Sequence, residues 1–165
     1  MVNGMAGKDL ATLVIAPATT DHIAVLAPRM RPADRDEVWT TDHMTPEEVL
    51  RLSLRLSTHA WTAFIDGDPV AIWGASPLNL LAGIGIPWLL SADAVDRYPR
   101  IFLRHCRYRL PDLFRVYSTL RNHVDDRHTV AKRWLAWLGF TIGEPEPWGV
   151  EGLPFRPFEM RRNPH

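Results

Sequence analysis

The last third of the chain carries the clearest pattern of apolar and polar positions. Between Asn122 and Phe140, Val130, Trp134 and Leu138 recur at i, i+4 and i+8, with Ala131 and Leu135 beside them. Lys132 and Arg133 point elsewhere, so the segment reads as an amphipathic helix with one wide apolar stripe. Asp125 or Asp126 can cap its start, because a short carboxylate accepts hydrogen bonds from the free N–H groups of a first turn. Gly139 stands where helices commonly end in a left-handed residue. Phe140 and Ile142 then open a strand.

The same reading extends along the chain. Thr12–Ala16 is a β-branched strand stopped by Pro17. Thr19–Arg29 begins with N-cap chemistry and places Ile23, Leu26 and Ala27 on one helical face. A short helical turn is expected around Ala33–Trp39. Thr45-Pro46-Glu47-Glu48 starts another helix, with Pro at the first helical position and acids in the first turn. His59–Ile65 and Pro69–Ser76 form a hairpin around Asp66-Gly67-Asp68. Leu80–Leu90 follows as a strand bent at Gly83 and Gly85. A long helix is expected over Ala92–Leu110, closed by Pro111, then a strand over Leu113–Leu120. Beyond the amphipathic helix, a Pro/Gly-shaped excursion leads to a last strand around Phe155–Met160. This order predicts an α+β fold, a mixed, mostly antiparallel central sheet with helices on both faces.

Composition narrows the picture. The 165 residues suit one domain over 12–165, preceded by a flexible lead-in over 1–11. A hydrophobic content of 46% with 7 Trp supports a real core. Lys+Arg and Asp+Glu are both 19, so net charge favours neither a nucleic-acid nor a membrane partner. Cys106 is the lone cysteine, which excludes an intramolecular disulfide or a thiolate zinc site. The N-terminus lacks the pattern of a signal peptide, and no apolar run is long enough to span a bilayer.

Several side chains are candidates for chemistry. Arg97, Arg100, Arg104 and Arg107 recur at spacings of 3, 4 and 3, a basic stripe for an anion or an acidic partner, or else a solvated helix face. His123, Asp125 and His128 cluster at a strand-to-helix junction, but do not converge as metal ligands must. Capping and hydrogen bonding suit them better. Ser118 and Thr119 lack a Gly-x-Ser-x-Gly elbow. Cys106 falls on an apolar helix face and reads as a buried, inert thiol. Trp134 and Phe158 read as core. Trp137 lies off the apolar stripe and Trp148 sits in a Pro/Gly loop; with Phe155 they are candidates for a protein–protein interface.

The element order and HVDDRHTVAKRWLAWLGF resemble the GNAT superfamily of acyl-CoA-dependent N-acetyltransferases. The family pattern Asn-x-x-Ala-x-x-x-Tyr-x-x-x-Gly-Phe finds Ala131, Gly139 and Phe140 in register. Its CoA-contacting Asn falls on His128, and its general-acid Tyr on Leu135, which has no proton to give. The family's glycine-rich pyrophosphate loop falls on SADAVDRYPRIF. There is no glycine between Ser91 and Leu138, and Asp93 and Asp96 would repel phosphates. The preceding strand, GIGIPWLL, lacks the carboxylate that many relatives use as base.

A second resemblance rests on PWLL, FLRHCRYRLPDLF, LRNHVDDRHTVAKRWLAWLGF and EGLPFRPFEM, which look like the GNAT-like proteins of tailed phages related to the internal virion protein A family. It implies a non-catalytic virion component or assembly factor. Such a protein would contact other phage virion proteins in symmetric copies, in the virion or in host cytoplasm, with no cofactor, no membrane and no nucleic acid. Arg97, Arg100, Arg104, Trp137, Trp148 and Phe155 would carry those contacts. The alternative implied by the family is an N-acetyltransferase with an atypical pyrophosphate site. Arg100, Arg104 and Arg107 would then hold acetyl-CoA, and His123 or His128 would act as base.

Overall fold

A computed structural model describes residues 12–163. Its sheet runs β1 (Leu13–Pro17), β2 (His59–Ile65), β3 (Asp68–Asn79), β4 (Ile84–Ser91), β5 (Thr119–Asp125), β8 (Leu153–Arg161) and β6 (Thr141–Ile142), with β7 (Glu146–Trp148) also on β8. Every pairing is antiparallel except β4 with β5. The strand side chains alternate between two cores, as a pleated sheet requires. Trp61, Trp73 and Ala75 face one cluster, closed by α4 (Pro99–Val116) and α5 (Thr129–Leu138). Ile72 and Leu90 face the other, covered by α1 (Thr20–Leu26) and α3 (Pro46–Leu56), with α2 (Pro32–Asp42) contributing Val38. The expected α+β architecture is therefore present.

Several boundaries differ from the sequence expectation, each for a physical reason. The long helix begins at Pro99, whose fixed φ suits a first helical position. Asp93–Arg97 instead form a 3-10 turn. Pro111 does not close the helix. It lies inside α4, which continues to Val116 because Leu113 and the following Tyr117 are both buried. That burial offsets the roughly 3 kcal/mol a proline costs in a helix interior. The next strand is consequently Thr119–Asp125 rather than Leu113–Leu120. The segment around Ala33–Trp39 is a full helix of 11 residues. Glu146–Trp148 adds a short strand within the C-terminal excursion. The proposed lead-in over 1–11 lies outside the described residues.

The amphipathic helix starts one turn later than either candidate cap. Asp125 is engaged by Arg127, and Asp126 by Lys132 and Arg156. His128 caps α5 instead, its ring nitrogen accepting from the Ala131 N–H. Gly139 ends the helix at φ 107°, as expected.

The parallel pairing of β4 with β5 positions the site. It is confined to Ile84 with Thr119 and Gly85 with Leu120. A Cβ on Gly85 would lie 2.7 Å from the Tyr117 ring, so glycine is what lets the strands meet there. Beyond that point β4 continues to Ser91 and β5 to Asp125 without pairing, and a wedge opens between them.

Candidate active site

The wedge exposes one edge of β4. Asn122 Nδ2 donates to the Pro87 carbonyl at 2.9 Å, so Pro87 faces β5. Ser91 faces the same way: its N–H donates to Asp34 Oδ2 at 2.8 Å, and its carbonyl accepts from the Arg31 N–H at 2.8 Å. Backbone groups of alternate strand residues point to one side. Leu89, between these two, therefore turns its N–H and carbonyl into the gap that β5 has left.

The wide end of the wedge is closed by the inner face of α2. Arg31, Asp34 and Glu37 recur there at intervals of three. Arg31 and Asp34 are each 4% exposed and His128 8%. Arg31 Nη2 lies 3.0 Å from Asp34 Oδ1, its Nη1 3.0 Å from Asp96, and its guanidinium 5.0 Å from the Trp134 ring centre. His128 Nδ1 accepts from Ala131, which leaves the proton on Nε2 to donate to Asp34 Oδ1 at 2.9 Å. Burial works to raise the Asp34 pKa. The hydrogen bond from His128, the Arg31 charge and the Ser91 N–H outweigh it and hold the carboxyl below its usual range.

Glu37 is different. Its Oε2 accepts from the Asp125 N–H at 3.2 Å, at the end of β5. No cation is paired with it among the described residues. Burial among protein atoms pushes its pKa up to about 7, with Asp34 and Asp125 adding repulsion and His128 partly opposing. Part of the side chain still borders a cavity of about 470 Å³. That cavity passes through the wedge. On one side of the sheet it is lined by Val38, Met44 and Leu52, and on the other by Leu103, Cys106 and Trp134. Trp88, Leu89, Asn122 and His123 border the crossing. Outside the Arg31–Asp34 pair lies a second, shallower pocket of about 410 Å³, between the Asp93–Arg97 turn and the start of α5, bordered by Asp93, Asp96, Arg127 and Thr129. A carboxyl titrating near neutrality beside a cavity has the pKa of a general base.

The residues singled out from sequence are only partly gathered here. His123 reaches the cavity, but its ring stacks on Trp148 at 3.6 Å and its Nε2 lies 2.7 Å from Glu146 Oε1. His128 is committed to Asp34 and to its cap, so it is a positioning group rather than a free base. No group of three metal-ligating side chains converges among the described residues. Arg97, Arg100, Arg104 and Arg107 are exposed on the outer side, although Arg97 belongs to the 3-10 turn and not to α4. Arg107 lies over Trp137, its guanidinium 3.8 Å from the ring centre. They do not border the cavity. Trp137 and Trp148 are 44% and 41% exposed. Phe155 is 1% exposed, which corrects its place among interface residues: it points from β8 into the core. Cys106 is buried, and burial raises its thiol pKa well above the usual range. Leu135, at the family's tyrosine position, lines the cavity. Ser118 donates to the Gly83 carbonyl at the narrow end of the wedge.

Sequence reading missed Arg31, Asp34 and Glu37. Their only signal was the spacing of charges after Pro32, where a helix of ordinary pattern would place apolar residues inward.

No protein-family model and no curated protein matches the chain. Solved structures do match in fold. A putative acetyltransferase from Salmonella typhimurium, solved with its cofactor acetyl-CoA, superposes at a TM-score of 0.72 and 10% identity over 93% of this chain and 96% of that one. A ribosomal-protein-alanine N-acetyltransferase from Brucella melitensis gives 0.71 and 13% over 90% and 99%. A ribosomal-protein-S5-alanine acetyltransferase from Vibrio fischeri gives 0.66 and 14% over 94% and 98%. The chain thus has the fold of the GNAT acetyltransferases. Nothing in these comparisons points to a phage or virion protein. The expectation of no cofactor is corrected by the Salmonella structure, in which this fold holds acetyl-CoA.

Proposed function

We propose that this chain is an N-acyltransferase that draws its acyl group from a coenzyme A thioester, with Glu37 as general base. The observation that carries the proposal is the Glu37 carboxyl, with a pKa near 7, at the open wedge between β4 and β5. The fold neighbours solved as acetyltransferases support it.

The residues fit the thioester arm better than the phosphates. The Leu89 edge offers an N–H and a carbonyl to an amide-containing arm, and the cavity walls exclude water from it. The phosphate end has no amide cradle: Pro99 lacks an N–H, and Asp93 and Asp96 are exposed beside it. Arg127, 63% exposed at its side chain, and Arg31 are the cations available there. The bound thioester would supply an activated carbonyl.

The chain's own part is then limited. Glu37, ionised above pH 7, takes the proton of an incoming amine. Asp34 stays charged and holds His128 and Arg31, which fix the wide end of the wedge. Leu135 donates nothing, and the sulfur of a bound thioester would leave as a thiolate, whose ordinary thiol pKa of about 8.5 makes a general acid unnecessary.

The test uses purified protein, acetyl-CoA and a panel of primary amines, with release of free thiol as the readout. The expected result is amine-dependent release that falls at least about a hundredfold in Glu37→Gln. No release with any amine, together with no calorimetric heat up to millimolar acetyl-CoA, contradicts the proposal.

A further inference from the structure

We propose that the acyl group carried by this site is a medium-length aliphatic chain, housed in the apolar end of the cavity beneath α4 and α5. The inference rests on the N-acyltransferase reading above and names its donor class.

Size is the first observation. The cavity, about 470 Å³, falls within the roughly 300–1,000 Å³ range of sites that enclose whole small molecules. It is about three times the 150 Å³ or so of an apolar cavity that accepts benzene. With the thioester arm along the Leu89 crossing, an acetyl group would still leave the end beneath α4 and α5 empty, in a chain that has seven tryptophans with which to fill space. Empty apolar volume is a standing cost to a fold, and it persists where a ligand occupies it.

Distribution of polarity is the second. Asp34, Glu37, His123 and His128 border the cavity on the α2 and β5 side of the crossing. An amine must stay there, within reach of its base. Past Leu89 the walls are Trp73, Leu103, Cys106, Trp134, Leu135 and Leu138. Leu103, Cys106 and Trp134 are each buried below a tenth exposed. The Cys106 thiol stays neutral, because burial disfavours its charged form. This end suits carbon alone. An acyl chain has no polar atom beyond its carbonyl, and the carbonyl must lie at the crossing. The tail then extends away from the amine, into the apolar end. Arg109 is the one cation on that border. It is drawn to Asp112, at 3.6 Å, and to the Trp61 ring, 5.6 Å from its centre.

The test compares S-octanoylpantetheine with S-acetylpantetheine, titrated calorimetrically into the full chain without any amine. These probes carry the arm but no phosphates, so a weak phosphate site does not mask the result. Octanoylpantetheine is expected to bind at least about thirtyfold tighter, since each buried methylene contributes several-fold. Cys106→Phe and Leu135→Phe narrow the chamber from α4 and from α5, and each should cut that ratio at least tenfold. Should either variant fail to fold, the wild-type ratio alone decides. Equal affinities overturn the inference. Equal affinities with acetyl transfer intact leave the N-acyltransferase reading standing. Tight octanoylpantetheine binding without transfer to any amine keeps the chamber and removes that reading.

Discussion

The two sides of α2 differ more than any other neighbouring regions of the molecule. Inward lies a chamber with apolar walls, an unpaired strand edge at Leu89 and the buried carboxyl of Glu37, which has no paired cation among the described residues. Outward lies a pocket of charges, where Asp96 pairs with Arg31 and Arg127 with Asp125. Three residues spaced along one helix separate them. The difference teaches that the two ends of the proposed thioester site can diverge independently. The strand wedge, where the proposal puts the reacting end, is present in full. The helix start that would meet phosphates is a 3-10 turn with two exposed acids and a proline.

Breaking the partition outright should have the largest effect. Asp34→Ala leaves Arg31 buried without its main partner and the Ser91 N–H without an acceptor. A loss of about 3–5 kcal/mol is expected in urea denaturation. A loss under about 1 kcal/mol would mean that Arg31 swings to solvent and that the partition is soft.

Glu37→Gln comes next and acts in the opposite direction. Folding raises the Glu37 pKa from 4.5 to about 7, so the folded state binds the extra proton between those values. Stability contributed by this group is complete below pH 4.5 and is lost as pH rises through 7. Glutamine keeps an oxygen for the Asp125 N–H and carries no charge. The variant should therefore be more stable than the wild type at pH 8, by an amount on the order of 3 kcal/mol, and no more stable at pH 4. Denaturation curves at the two pH values check this.

Smaller changes sharpen the contrast. Trp148→Ala removes the ring stacked on His123 at the cavity mouth and should cost about 1 kcal/mol. Asp96→Ala should change stability by less than about 1 kcal/mol, because its carboxylate is 43% exposed. It should nonetheless strengthen acetyl-CoA binding about tenfold, by removing a repulsive charge and freeing Arg31 Nη1 for a phosphate. Unchanged affinity would place the phosphates elsewhere.

The sequence showed the framework well and the site poorly, and particular residues explain both. The Val130–Leu138 stripe, Thr45-Pro46 and Asp66-Gly67 carry local physics strong enough to fix their elements. Pro111 misled because buried Leu113 and Tyr117 carry the helix past it. That displaced β5, and with it the setting of Asn122 and His123. His128 stood out in sequence, but its partner, Asp34, is 94 residues away. Arg31, Asp34 and Glu37 were invisible as a site because their helix turns charge inward. Periodicity then reads the buried face as surface. Phe155 read as an interface aromatic because it opens the last strand next to the Pro/Gly loop of Trp148, yet β8 turns it inward, where it is 1% exposed.

The central claim is that Glu37 is the base at the open wedge. The pH dependence of kcat/KM for amine acylation, measured on the wild type and on Glu37→Gln, tests it most directly. The wild-type rate should rise with pH through about 7 and level above it, as the carboxyl ionises. The variant should be slower by at least about a hundredfold at the plateau, with that rise gone. A variant that keeps the wild-type rate and the same inflection would contradict the account.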